Sequence, residues 1–242
     1  MAKLFGNVKT EGVERQEDRT GGSFSLFESD IYEALIKAAY ITEATNSKAQ
    51  ALNLILTLGD KEYKETIWVT NKNGECSYKN KNDKSVFLPG WQMANDIAMM
   101  TAETEFSNCD FEEKVINLYD YELKKEVPST VPMCMDMVGK KLLVAIQKRL
   151  VNKQEKNADG AYIDTAESKE ENLIDKVFHP DTRQTLSEAL EGREAGFYEK
   201  WLEANKGKTR DARKNKSGKD DKPAAKAPEA SAKPRQSLFG KK

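Results

Sequence analysis

Ala51-Leu52-Asn53-Leu54-Ile55-Leu56-Thr57-Leu58-Gly59-Asp60 and the continuation Lys61-Glu62-Tyr63-Lys64-Glu65-Thr66-Ile67-Trp68-Val69-Thr70 form the stretch whose reading decides the fold. Leu52, Leu54, Leu56 and Leu58 alternate with Ala51, Asn53, Ile55 and Thr57. That period of two, with one strongly apolar face, predicts a strand. Gly59-Asp60 is a turn signal, and the residues from Glu62 to Thr70 resume as a second strand rich in β-branched and aromatic side chains. Tyr63, Ile67 and Val69 share one parity and suit a core. Lys64, Thr66, Trp68 and Thr70 share the other.

On the C-terminal side, Asn71-Lys72-Asn73-Gly74 is another turn, since Asn and Gly tolerate positive φ, and a basic, Asn-rich loop continues through Lys84. Pro89-Gly90 precedes Trp91, Ala94, Ile97 and Ala98, whose spacing predicts a short helix. Val115–Tyr121 reads as a strand. Lys141–Asn152 reads as a long one whose partner follows Asn157-Ala158-Asp159-Gly160, a loop with turn chemistry. Asn172–Phe178 reads as a final strand before Pro180, and Thr182–Leu190 and Phe197–Ala204 as two short helices. On the N-terminal side, Asp30–Thr42 stays open. Ile31, Ala34, Leu35, Ala38 and Ala39 fit a helical stripe, while Tyr32, Ala34, Ile36, Ala38 and Tyr40 fit a strand face. The ordering predicts a mainly β protein with accessory helices, a small Greek-key barrel ending in short helices.

Charge divides the chain. Residues 206–242 hold 13 Lys and Arg against 4 Asp and Glu, a net of +9; the remaining 26 basic and 36 acidic residues give 1–205 a net of −10. The expected organisation is a flexible arm over 1–28, one domain over 29–205 and a disordered basic tail over 206–242, too poor in apolar residues to offset its ordering entropy. No apolar run approaches the roughly 18–20 residues that cross a bilayer, and Met1–Gly6 lacks a secretory leader. Cys76, Cys109 and Cys134 are odd in number and widely spaced, which argues against a disulfide framework and for a reducing compartment.

Catalytic signals are missing. Glu112-Glu113 and Glu170-Glu171 sit in polar runs, and His179 stands before Pro180 with no nucleophile pattern beside it. Thr20-Gly21-Gly22 lacks the Lys-Thr of a phosphate loop, Asn157–Gly160 lacks the acidic positions of a calcium loop, and one histidine without a C-x-x-C pair gives zinc little to bind. The reading is therefore not an enzyme, with no cofactor and no metal.

Binding signals are present. An aromatic on a polar strand face is what base stacking requires, because every base has a π-face. Trp68 has that setting, with Lys64 beside it and Asn53 and Thr57 on the neighbouring strand. Lys72, Tyr78, Lys79, Lys81 and Lys84 interleave cations and an aromatic in the following loop, and Arg149 and Lys153 share a parity that extends a basic track. Trp91 and Trp201 lie on helical apolar stripes and suit a core.

Several strings resemble a family of phage proteins described as single-stranded DNA-binding. They are Ala2-Lys3-Leu4-Phe5-Gly6-Asn7, Ser29-Asp30-Ile31-Tyr32, the stretch Lys61–Lys72, Asp110–Val115, Val131-Pro132-Met133, Leu173–Phe178 and Lys200-Trp201-Leu202-Glu203. The resemblance spans nearly all of 1–210 and fades in the tail. It implies an OB-fold, a strand over 30–42, and coating of single strands during phage DNA replication, recombination and repair in the cytoplasm of an infected bacterial cell. The chain departs from many single-strand binders by ending Gly240-Lys241-Lys242 instead of in an acidic tip. Leu238-Phe239-Gly240 echoes Leu4-Phe5-Gly6, and Leu238 and Phe239 are the large apolar pair of the tail. They are a candidate docking motif, either for self-association on DNA or for a replication or transcription protein. The rival reading is an OB-like protein-interaction module that recruits such partners and binds little DNA.

Overall fold

The computed structural model describes residues 26–120, 123–157 and 162–214. Its elements are β1 (Asp30–Glu43), β2 (Gln50–Leu58), β3 (Lys61–Trp68), β4 (Ser77–Lys79), β5 (Ser85–Phe87), α1 (Pro89–Thr101), a 3₁₀ turn (Phe106–Asn108), β6 (Phe111–Asp120), β7 (Lys125–Cys134), β8 (Lys141–Lys156), β9 (Tyr162–Phe178), α2 (Leu186–Leu190), α3 (Phe197–Asn205) and β10 (Thr209–Asp211). The protein is mainly β, as its alternating sequence implies.

The β2–β3 hairpin forms as the leucine alternation dictates, with Leu56 opposite Tyr63 and Leu52 opposite Ile67. Leu52, Leu54, Leu56 and Leu58 are buried, each worth roughly 1.5–3 kcal/mol. They pack against Ala34, Ile36, Leu142, Val144, Ile146, Ile174 and Val177 from the facing strands, with Ala94, Ile97 and Ala98 of α1 across one end.

β1 resolves the open reading of 30–42 as a strand, and a β-bulge explains why two periodicities fitted it. The register against β2 shifts between Ile36 and Ala38. Before the bulge, Ala34 and Ile36 face the main core. Beyond it Ala39 does so, while Ala38 and Tyr40 face the opposite side, beneath Val131 and Met133 of β7. A strand that changes parity and is buried on both faces shows neither a clean period of two nor a clean helical stripe.

Pairing order is β3-β2-β1-β8-β9, with β10 parallel to β8, and β6–β7 attached through β7 to β1. The sheet is not closed: β3 and β9 are not joined by a ladder. At that gap the Glu65 carboxylate accepts hydrogen bonds from the Tyr63 hydroxyl and from the Ile174 N–H. Phe27 straps the gap, its N–H donating to Asn172 Oδ1 at 2.8 Å and its carbonyl accepting from Asn172 Nδ2 at 2.8 Å. Its ring makes edge contacts with Tyr32 and Tyr63.

Several expected elements shift. The strand expected over 172–178 is the end of the longer β9. β7 was not anticipated because it carries Pro128 and Pro132; these share a parity, opposite Asn117 and Glu113, so both missing N–H groups fall on the side away from β6. The expected tail boundary at 206 moves outward. Gly207 N–H bonds Ser29 O, Ser29 Oγ donates to Lys208 O at 2.6 Å, β10 runs beside β8, and Lys214 N–H reaches Asn152 Oδ1 at 2.8 Å. Likewise, of the arm expected over 1–28, residues 26–28 belong to the fold, while 1–25 and 215–242 lie outside the described residues. Trp201 is buried as expected, its indole N–H donating to Asp175 at 2.6 Å. Among the described residues no helix is long and apolar enough to cross a membrane.

Candidate nucleic-acid interface

Cross-strand register builds one face residue by residue. Opposite pairs point to the same side of a sheet, so Thr42, Ala51 and Trp68 share a row, as do Tyr40, Asn53 and Thr66, and then Ala38, Ile55 and Lys64. This is the side away from the leucine core. Trp68 is 52 % exposed on it, although its neighbours in sequence, Ile67 and Val69, are half-buried and buried. Thr66 Oγ1 donates to Asn53 Oδ1 at 2.8 Å, and Asn53 Nδ2 donates to Thr42 Oγ1 at 2.8 Å. Asn53 is thus committed to ordering the face, which leaves the hydroxyl oxygens of Thr42 and Thr66 to accept from a ligand.

Trp68 is held from below by the start of α1. Gly90 lies so close to the Trp68 carbonyl that a Cβ there would stand 2.0 Å from its oxygen. Glycine is required here by close approach. Between Trp68 and α1 the basic segment is not a plain loop but two turns and the β4–β5 hairpin. Asn71 Oδ1 accepts from the N–H groups of Asn73 and Glu75, and Asn80 Oδ1 accepts in the same way from Asn82 and Lys84. The asparagines build the turns, and the lysines project from them. Lys72, Lys81 and Lys84 make no ion pair among the described residues, while Lys79 pairs with Asp83 at 3.5 Å. Tyr78 stands opposite Val86, both exposed. The Lys48 N–H donates to the Lys72 carbonyl at 3.1 Å, which brings the β1–β2 loop and a further cation alongside.

Lys64 shares Glu62 with Lys37, at 3.4 and 2.8 Å. The hydrogen bond from Lys37 holds the Glu62 carboxyl below its usual range. That trio keeps one net positive charge on the face.

The remaining predicted cations, Arg149 and Lys153, are ion-paired. Arg149 Nε and Nη2 both donate to Glu171 Oε1, at 2.9 and 2.6 Å, and Lys153 pairs with Glu167 at 2.8 Å. The free basic track anticipated along β8 is instead a row of cross-strand ion pairs. Arg149 still shares a groove of roughly 910 Å³ with Lys64, Thr66 and Glu65, running along the gap between β3 and β9. Burial pushes the Glu65 carboxyl above its usual range despite its two donors. Leu238 and Phe239 lie outside the described residues.

A second hollow escaped the sequence reading. Between the β6–β7 hairpin and the Trp68-bearing face, Lys37, Ala38, Ile55, Lys114, Ile116, Asn117, Met133 and Met135 line a cleft of roughly 490 Å³, largely apolar. Its signal was Ile55, a large apolar residue on the parity of β2 that otherwise carries Ala51, Asn53 and Thr57.

Potential ligands for a metal are Cys109, Cys134 and Asp136, whose donor atoms lie within 4.8 Å of one another. Both cysteines are buried, and burial pushes the Cys109 thiol up to about 12 and the Cys134 thiol upward as well. His179 serves its turn: Nδ1 accepts from the N–H groups of Asp181 and Thr182, each at 3.3 Å.

No protein-family model, curated protein or solved structure matches this chain. The face around Trp68 must speak through its own chemistry. It offers a flat apolar ring and hydroxyl acceptors, and the segment that follows it in the chain carries Lys72, Lys81 and Lys84, none of them ion-paired among the described residues, a set suited to a polyanion whose units carry aromatic rings.

Proposed function

We propose that this protein binds single-stranded DNA and acts by binding, not turnover. The observation that carries the reading is Trp68, half-exposed on a hydroxyl-lined sheet face and followed in the chain by the exposed Lys72, Lys81 and Lys84. Bases stack on the indole while lysines track the phosphates, giving sequence-tolerant affinity that falls with salt. The order β3-β2-β1-β8-β9, with α1 between β3 and β8 in sequence, supports an OB-like, partly open Greek-key barrel. With the resemblance to phage single-stranded DNA-binding proteins, this makes the role the coating of single strands during phage DNA replication, recombination and repair in the host cytoplasm. The acidic body limits adhesion to duplex DNA, and the basic tail supplies long-range attraction.

Binding of a labelled oligo-dT by anisotropy tests the reading. Trp68→Ala removes one stacked base and costs about 1–3 kcal/mol; neutralising Lys72, Lys81 and Lys84 together flattens the salt dependence. Normal binding by both folded variants moves the site elsewhere. Exposed Phe87, Val115 and Tyr119 on the two hairpins favour the second reading, a protein-interaction module. A chain that ignores oligo-dT at low salt supports that one.

A further inference from the structure

The cleft beneath the β6–β7 hairpin belongs to the same sheet face as Trp68. Ile55, in its floor, stands opposite Lys64, and Ala51, four residues earlier on β2, stands opposite Trp68. At about 3.3 Å per residue the two points are about 13 Å apart. That span is about four of the 3.4 Å rises between stacked neighbours, so bases about four steps apart along one strand reach both points.

Chemistry distinguishes the cleft from a plain core defect. Met133, Met135, Ile55 and Ile116 line it, with the exposed Asn117 at its edge and Lys37 and Lys114 beside it. Methionines are soft, adaptable surfaces that make favourable contacts with aromatic rings of any outline. Asn117 adds an amide that donates and accepts, the hydrogen-bond pair that a base edge presents. Lys37 and Lys114 are tied to Glu62 and Glu112 at 2.8 and 2.6 Å. These are surface pairs, worth little and readily exchanged for phosphate.

We propose that this cleft is a second nucleobase subsite: a base of the bound single strand inserts between Met133, Met135, Ile55 and Ile116, with Asn117 at its edge and Lys37 and Lys114 on the flanking phosphates. The inference rests on the reading of the Trp68 face as a single-strand track. It adds that the strand is held at two points and drawn across β2 and β3 toward the hairpin. The soft lining fits sequence tolerance, since no rigid donor pattern selects one base.

The test uses the full chain with methyl-labelled methionine and follows the methyl resonances as oligo-dT is added. Met133 and Met135 should shift through the ring currents of the entering base, while Met93 and Met100, packed against the main core, stay in place. An abasic deoxyribose-phosphate chain of the same length should leave all four unmoved. Met135→Glu, which puts a carboxylate in the cleft, should weaken oligo-dT binding about tenfold with the fold intact by circular dichroism. Asn117→Ala, on an exposed position, should weaken it severalfold.

Shifts at Met133 and Met135 with both ligands mean that the cleft holds phosphate, and overturn the base assignment. Shifts that follow protein concentration without DNA assign the cleft to a second copy and overturn it too. Still resonances alongside normal binding that Trp68→Ala weakens overturn the subsite but leave the Trp68 reading standing. No binding by the unmodified chain overturns both.

Discussion

Gly90→Ala is a small change whose consequence can be worked from the geometry. The added Cβ would lie 2.0 Å from the Trp68 carbonyl oxygen, 2.9 Å from its carbonyl carbon and 3.2 Å from Ile67 Cγ2. The first two neighbours are backbone and cannot swing aside. Either the start of α1 or the end of β3 must retreat by about 1 Å, and overpacking of this kind costs roughly 1–3 kcal/mol. Against it stands the intrinsic preference of a helix for Ala over Gly, at most about 1 kcal/mol. The clash wins, so Gly90→Ala should lower stability by about 1–2 kcal/mol in urea unfolding. Because Trp68 is the residue displaced, affinity for oligo-dT should fall with it. A variant as stable as the parent, or more so, would refute the packing of α1 on the Trp68 backbone. A destabilised variant with undiminished binding would detach Trp68 from the site.

Three further outcomes follow from the gap, the strap and the tail. Burial raises the Glu65 carboxyl above the 4.5 of a free glutamate, so its contribution to stability is fully present below that value and is lost as pH rises through the folded-state value. Relative to the parent, Glu65→Gln should therefore gain stability as pH climbs above about 4.5; a pH-independent difference in equilibrium unfolding would contradict the burial argument. Asn172→Ala leaves the Phe27 N–H and carbonyl without their partner, which should cost about 1–3 kcal/mol and speed amide exchange at Phe27; unchanged exchange would mean the strap is not held there. Removing 215–242 deletes 8 basic and 3 acidic residues and should reduce the salt dependence of DNA binding without changing the unfolding midpoint. Removing 206–242 also takes β10 and should lower that midpoint, and equal stability of the two truncations would deny β10 its role.

What the sequence made legible was whatever lies within one hairpin. The leucines of β2 and the polar parity of Lys64, Thr66 and Trp68 are local alternations, and the turn between them is two residues long. Asp30–Glu43 was not legible because the bulge at Lys37 changes its parity and buries both faces, an effect of partners more than eighty residues away in β7. The pairing of Arg149 with Glu171 depends on the β8–β9 register, and the approach of Cys109 to Cys134 on the β6–β7 register. Neither register is written in any single strand. The lysines of 72–84 and the turn at Asn71 were visible, but Asn80, which builds the second turn, looked like mere loop composition. The methionine-lined cleft needed the third dimension, since Ile55 and Met133 meet only once β1 has placed β2 and β7 on its two edges.

Intrinsic fluorescence directly measures the proposed stacking of single-stranded DNA on Trp68. Of the three tryptophans, Trp68 is 52 % exposed, Trp91 is half-buried against Phe106 and Trp201 is 3 % exposed. Titrating the full chain with oligo-dT at low salt should quench the emission, moderate salt should weaken the effect, and Trp68→Ala should abolish most of it. Emission that stays flat while the unmodified, folded chain is titrated at low salt would show that no base stacks on Trp68.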